Sequence, residues 1–150
     1  MGRRAVRRIR VVGAVLLVGI LALAGPGAGQ QVTDARQRVV LAAPARDKIL
    51  AEMRDMLSAL HGVFRALSAG DPTAAEKAAR SVGMAVAADV QPEIRAQLPP
   101  AFLQLGMQTH RAFDALADQL SAGASGEEAL KSIAALTGNC VACHASYRLE

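Results

Sequence analysis

The stretch "TGNCVACHASYRLE", Thr137–Glu150, carries the only two cysteines of the chain, Cys140 and Cys143, with His144 directly after the second. At about 100° per residue, Ala129, Ile133, Leu136, Cys143, His144 and Tyr147 gather around Cys140 on one side of a helix. The spacing therefore predicts a last helix whose buried apolar stripe runs into two thiols and an imidazole. Ser125 followed three residues later by Glu128 has the form of a capping box, which starts this helix near Ser125; it is expected to reach about Tyr147.

The same period runs upstream, with no sustained period-two alternation and no expected strands. With Met53 as the zero of angle, Ile49, Leu50, Met56, Leu57, Leu60, Phe64 and Leu67 lie within about 60° of it, and Arg54, Asp55, Ser58 and Arg65 fall off this stripe. This predicts a helix from about Ala45 to Ala69, stopped by Gly70. Asp71 as cap and Pro72 at the first helical position begin a short Ala-rich helix running to about Ala88, with a break at Gly83. "DVQPEIRAQLPP" reads as a connection. A third long helix spans about Ala101 to Ala122, with Phe102, Leu105, Gly106, Thr109, Phe113, Leu116, Ala117 and Leu120 on one face. His110, at the edge of that face, is expected to be half-exposed. "QVTDARQRVVLAAP" either extends the first helix or trails as a tail. The expected fold is all-α, an antiparallel four-helix bundle, an architecture that places cofactors between facing helices.

The N-terminus has another character. "MGRRAVRRIR" holds five arginines and no acid, "VVGAVLLVGILALA" (Val11–Ala24) is apolar, and "GPGAGQQ" is small and turn-prone. This is the pattern of a secretory signal peptide, expected over residues 1–29 with cleavage between about 25 and 31, leaving a domain over 30–150. The apolar run is shorter than the ~20 residues a spanning helix needs, so no membrane span is expected in the mature chain. No cysteine stands near the exit, which excludes a lipoprotein. Of 17 Lys and Arg, removal of the five leader arginines leaves 12 against 13 acids. The basic character is thus a targeting feature. With one Tyr and three Phe there is neither the basic patch nor the stacking surface that nucleic acid binding requires.

Positions i, i+3 and i+4 share one helix face. Two thiols there suit addition to the two vinyl groups on one edge of a porphyrin, and the adjacent imidazole suits its iron. Cys-x-x-Cys-His is accordingly the attachment signature of c-type haem, a linkage made outside the cytoplasm. Three other readings of the cysteines exist. A thioredoxin-like redox pair needs a βαβ setting, and a Cys140–Cys143 disulfide closes too small a loop to stabilise much. A zinc site needs four ligands, and only His61 and His110 remain, on different helices.

A helical chain with a leader and a C-terminal "CVACHASYR" resembles the cytochrome c′ family, the class II c-type cytochromes. The resemblance covers the chain from about the first helix to the end. It implies one covalent haem c bound through Cys140, Cys143 and His144. It also implies a role for Arg148, four residues after the histidine, at a propionate or on the proximal side; by itself Arg148 reads as a surface cation at a helix C-terminus. The connection before the third long helix departs from the family in being short and lacking aromatic residues. A homodimer is implied by the resemblance alone.

The family divides by its sixth iron ligand. Low-spin relatives use a methionine of the first helix, and "LAEMRDMLSAL" supplies Met53, with Met56 second. His61 is a third candidate. A thioether ligand raises the reduction potential, and no nucleophile–base pair, carboxylate pair or phosphate loop appears, so no enzymatic activity is expected. The expected function is a periplasmic cytochrome transferring electrons between redox partner proteins. The alternatives are a five-coordinate cytochrome c′ binding nitric oxide or carbon monoxide, and a haem-free metal-binding helical protein.

Overall fold

The computed structural model describes residues 33–150; the leader expected over 1–29 lies outside the described residues. Among these, a short strand β1 (Gln37–Val39) precedes α1 (Ala43–Ser68), α2 (Pro72–Arg80), α3 (Met84–Ala88), α4 (Pro92–Arg95), α5 (Pro100–Ser121) and α6 (Gly126–Ser146), and β2 (Tyr147–Leu149) closes the chain. The protein is mostly helical, and no described helix is long and apolar enough to cross a membrane.

Local chemistry sets the helix boundaries. Pro44 occupies the first turn of α1, where a missing N–H costs nothing. The chain leaves α1 through Gly70, at φ +70, a region that suits a residue without Cβ. The Asp71 side chain then accepts the Ala74 N–H at 2.8 Å and caps α2. Ser125 and Glu128 form the complete capping box of α6. The expected break at Gly83 separates α2 from α3, because the Asp114 carboxylate of α5 reaches in to accept the Met84 N–H at 2.8 Å.

α1 packs on α2, α2 on α5, and α5 on α6. Their shared core includes Val63, Phe113, Leu116, Ile133 and Leu136. A second cluster at the other end joins Val39, Leu41, Ala45, Ile49, Leu98 and Phe102. The edge of Phe102 meets the ring of Tyr147 at 5.4 Å between centroids.

Three expectations are corrected. The segment before α1 is neither helix nor tail. Its β1 pairs in parallel with β2, Gln37 opposite Tyr147 and Val39 opposite Leu149, so α6 ends at Ser146 and the chain does contain strands. A parallel pair requires a long crossover, and the whole helical region supplies it. The connection "DVQPEIRAQLPP" contains α4. The buried face of α1 is not centred on Met53. It follows Ala45, Ile49, Glu52, Ala59, Val63 and Ala66, roughly 90° away at 100° per residue, while Leu57 and Phe64 are exposed. Alanines let α1 approach the Ala-rich α2 closely: a Cβ at Gly62 would stand 3.2 Å from Ala78 Cβ. Close approach, rather than side-chain size, selects the face.

A Cβ at Gly83 would land on the Asp114 carboxylate. Gly83→Ala should therefore displace Asp114 from the Met84 N–H and destabilise the protein by about 1–3 kcal/mol. An unchanged urea midpoint would show that this corner does not hold α5 in place.

Candidate functional site

The stripe of α6 is buried at Ala129, Ile133 and Leu136 and opens at the motif. Cys140 and Cys143 are half-buried and His144 is exposed, so the motif lies at a margin rather than on a fully buried face as expected. All three side chains line a mostly apolar cavity, open on one side. It lies between the two apolar clusters. Ile49, Met53 and Met56 wall it from α1, and Phe102, Gly106 and Thr109 wall it from α5. A Cβ built on Gly106 meets nothing within 4 Å, so a larger residue there would occupy the hollow.

Both cysteines are free thiols. Burial pushes the Cys140 thiol above its ordinary pKa, and burial followed by the neighbouring Cys140 does the same to Cys143. The motif occupies the last turns of α6, the negative end of the helix dipole, which also disfavours a thiolate. Reactive thiol pairs have the opposite setting, a lowered pKa at a helix N-terminus or beside a cation. Among the described residues no group of three or more His, Cys, Asp or Glu side chains could hold a metal ion by itself.

The other expected residues separate. Met53 lines the cavity and also a second hollow on the His144 side. Met56 lines only the first and packs against the main core. His61 is exposed and lines neither. Arg148 lies in β2 and lines the second hollow beside His144, with Arg36 and Arg46. Its guanidinium pairs with Asp34 at 3.5 Å and Glu150 at 3.2 Å. Asp34 is held well below the carboxylate range, chiefly by its hydrogen bonds to Arg36.

Three cavity residues escape sequence reasoning. Glu52 is 8% exposed, with Lys48 Nζ 3.4 Å from an oxygen that accepts no hydrogen bond. Arg95 of α4 reaches the cavity wall. His110 is 4% exposed, not half-exposed, because its Nδ1 donates to the Val82 carbonyl at 2.8 Å across the α2–α3 corner. The carbonyl can only accept, so Nδ1 carries the proton. The partner of His110 lies in the turn between α2 and α3, 28 residues away, and one helix's periodicity cannot reveal it.

No protein-family model matches this chain, and searches of the curated proteins and of the solved structures find no match.

With both thiol pKa values raised, alkylation of the haem-free chain by iodoacetamide should be slow at pH 7 and accelerate about tenfold per pH unit as the thiolate grows in. A fast, pH-independent reaction at neutral pH would mark a reactive pair instead.

Proposed function

We propose that this chain is a periplasmic monohaem c-type cytochrome that transfers electrons, folded as an antiparallel four-helix bundle of the cytochrome c′ type. The observation that carries this reading is the placement of two free, protonated thiols and an imidazole on one face of α6, at the wall of an apolar cavity. The residues fit the group: Cys140 and Cys143 would hold the porphyrin by thioether bonds, and His144 would ligate its iron. Bound there, the haem supplies a one-electron couple.

The rest of the chain prepares that couple. Ile49, Phe102 and Leu98 keep one end of the cavity apolar, which limits water and so limits reorganisation when charge changes. Gly106 leaves room for a flat group. Met53, at the junction of both hollows, is the ligand proposed for the sixth position. A soft thioether there would favour ferrous iron. His144 is exposed, so the edge through which a redox partner would exchange electrons faces outward. The exposed Leu57 and Phe64 of α1 offer a second copy an apolar strip. The leader pattern of the sequence supports a periplasmic location, where the thioether linkage would be made.

Expressed with c-type maturation machinery, the mature protein should exceed its polypeptide mass by one haem, and acid acetone should not extract the colour. A bare-chain mass overturns the proposal.

Met53→Leu should open the sixth position, giving a high-spin ferrous spectrum, faster carbon monoxide binding and a lower reduction potential. Met56→Leu should leave the spectrum unchanged and, as a volume-conserving change, cost less than about 1.5 kcal/mol. A spectral change only at Met56 would move the ligand by one turn. A wild-type protein already high-spin would replace electron transfer by the gas-binding reading.

A further inference from the structure

Arg95 ends the short helix α4, and its guanidinium is half-buried at the cavity wall. Two backbone carbonyls hold it. Nε donates to Val90 O at 3.0 Å and Nη2 donates to Ala87 O. These bonds fix the plane of the group and leave Nη1 uncommitted. No ion pair satisfies its charge among the described residues; Arg54, Arg65 and Arg111 also lack one but are exposed, whereas the half-buried Arg46 and Arg148 have carboxylates within reach. Residues 1–32 contain no Asp or Glu that could serve. Glu52, the one carboxylate that lines the cavity, has Lys48 Nζ 3.4 Å away and makes no ion pair with Arg95.

A guanidinium cannot shed its charge, and burying a charge without a partner is costly. Here the cost is combined with preorganisation: the side chain is immobilised before any ligand arrives, at the edge of a cavity that is otherwise largely apolar. Such a site suits a ligand with an apolar body and one carboxylate, taken by charge-assisted hydrogen bonds from a donor already in position. Resting on the haem reading above, we infer that Arg95 is the counter-ion of a haem propionate, and that the α3–α4 segment serves as the carboxylate-binding side of the cavity. Arg148, whose guanidinium is already paired with Asp34 and Glu150 beside His144, does not take this role.

The test compares wild type, Arg95→Gln, Arg95→Lys and Arg148→Gln as holoproteins, each checked for the added haem mass. The measurement is reduction potential against pH. In Arg95→Gln the propionate loses its cation, so the potential should fall at neutral pH and rise again as pH decreases and the freed carboxylate protonates. Arg95→Lys keeps the charge and should stay close to the flat wild-type profile, and Arg148→Gln should not create the pH dependence. If Arg95→Gln and Arg95→Lys both lower the melting temperature equally and neither moves the potential or its pH profile, Arg95 only ties down the α3 carbonyls and the inference is overturned. Should the Arg95 variants fail to accumulate, resonance Raman of the wild type decides: a propionate bending mode shifted from that of solvent-exposed propionates supports the pairing, and an unshifted mode overturns it. A wild type without haem overturns the cofactor reading itself, whereas haem-loaded variants with unchanged potentials overturn the Arg95 assignment alone.

Discussion

The rotational setting of α6 depends on three side chains. Ala129, Ile133 and Leu136 are 0%, 3% and 1% exposed, and a helix held by three successive core contacts cannot turn about its axis. The same stripe, continued by one and two turns, reaches Cys140 and Cys143. Their direction is thus fixed by residues that have nothing to do with their chemistry. Contacts at either end hold the register against α5: Ser132 Oγ meets Gln119 Oε1 at 2.6 Å, and Tyr147 stacks edge-on with Phe102. Between them the facing residues of α5 include Gly106 and Thr109 where large apolar side chains would otherwise fill the gap. The cavity exists because a pair of helices held in register at either end carries small residues at the level between.

The two-stranded ladder works at the opposite end of the same problem. A helix that ends beside a cavity has unpaired carbonyls and a tendency to fray. Tyr147 instead turns into extended backbone, pairs with β1, and is continued by Glu150 N–H on Val39 O at 3.0 Å and Leu41 N–H on Glu150 O at 3.1 Å. Val39 and Leu41 are carried by that pairing into the second apolar cluster. The ladder therefore closes the site by packing as well as by hydrogen bonding, and it sets Arg148 beside His144. Charge is divided accordingly. Arg36, Arg46 and Arg148 surround the exposed imidazole, whereas the cavity holds Arg95 and Glu52.

Much of this is legible in the chain because it is local. The Asp71 and Ser125 caps, the Gly83 break and the stripe of α6 each depend on residues within a few positions of one another. What is illegible depends on partners far away in sequence. Residues 37–39 are too few to show an alternation, and they become a strand only because residues 147–149 are brought to them. His110 reads as an edge residue until its Nδ1–H is seen to donate to the Val82 carbonyl. Glu52 reads as solvent-facing because a carboxylate is rarely buried. It is buried because α1 turns its alanines, not its leucines, toward α2.

That rotation changes the reason for favouring Met53. From the periodicity, Met53 stands at the centre of the apolar face and is favoured as the residue aimed most directly inward. In the structure the centre of the buried face lies nearer Met56, which packs against the main core. A side chain at the centre of a core face is committed to its neighbours, and methionine there serves as an adaptable filler. Met53 stands at the margin of that face, where the cavity and the second hollow meet, and both hollows are also lined by Cys143 and His144. A ligand must be held by packing on one side and left free on the other. Met53 packs against the Ile49–Phe102 cluster and borders empty space on its other flank, so its margin position supports the proposed ligand role better than the central one it has in the sequence pattern.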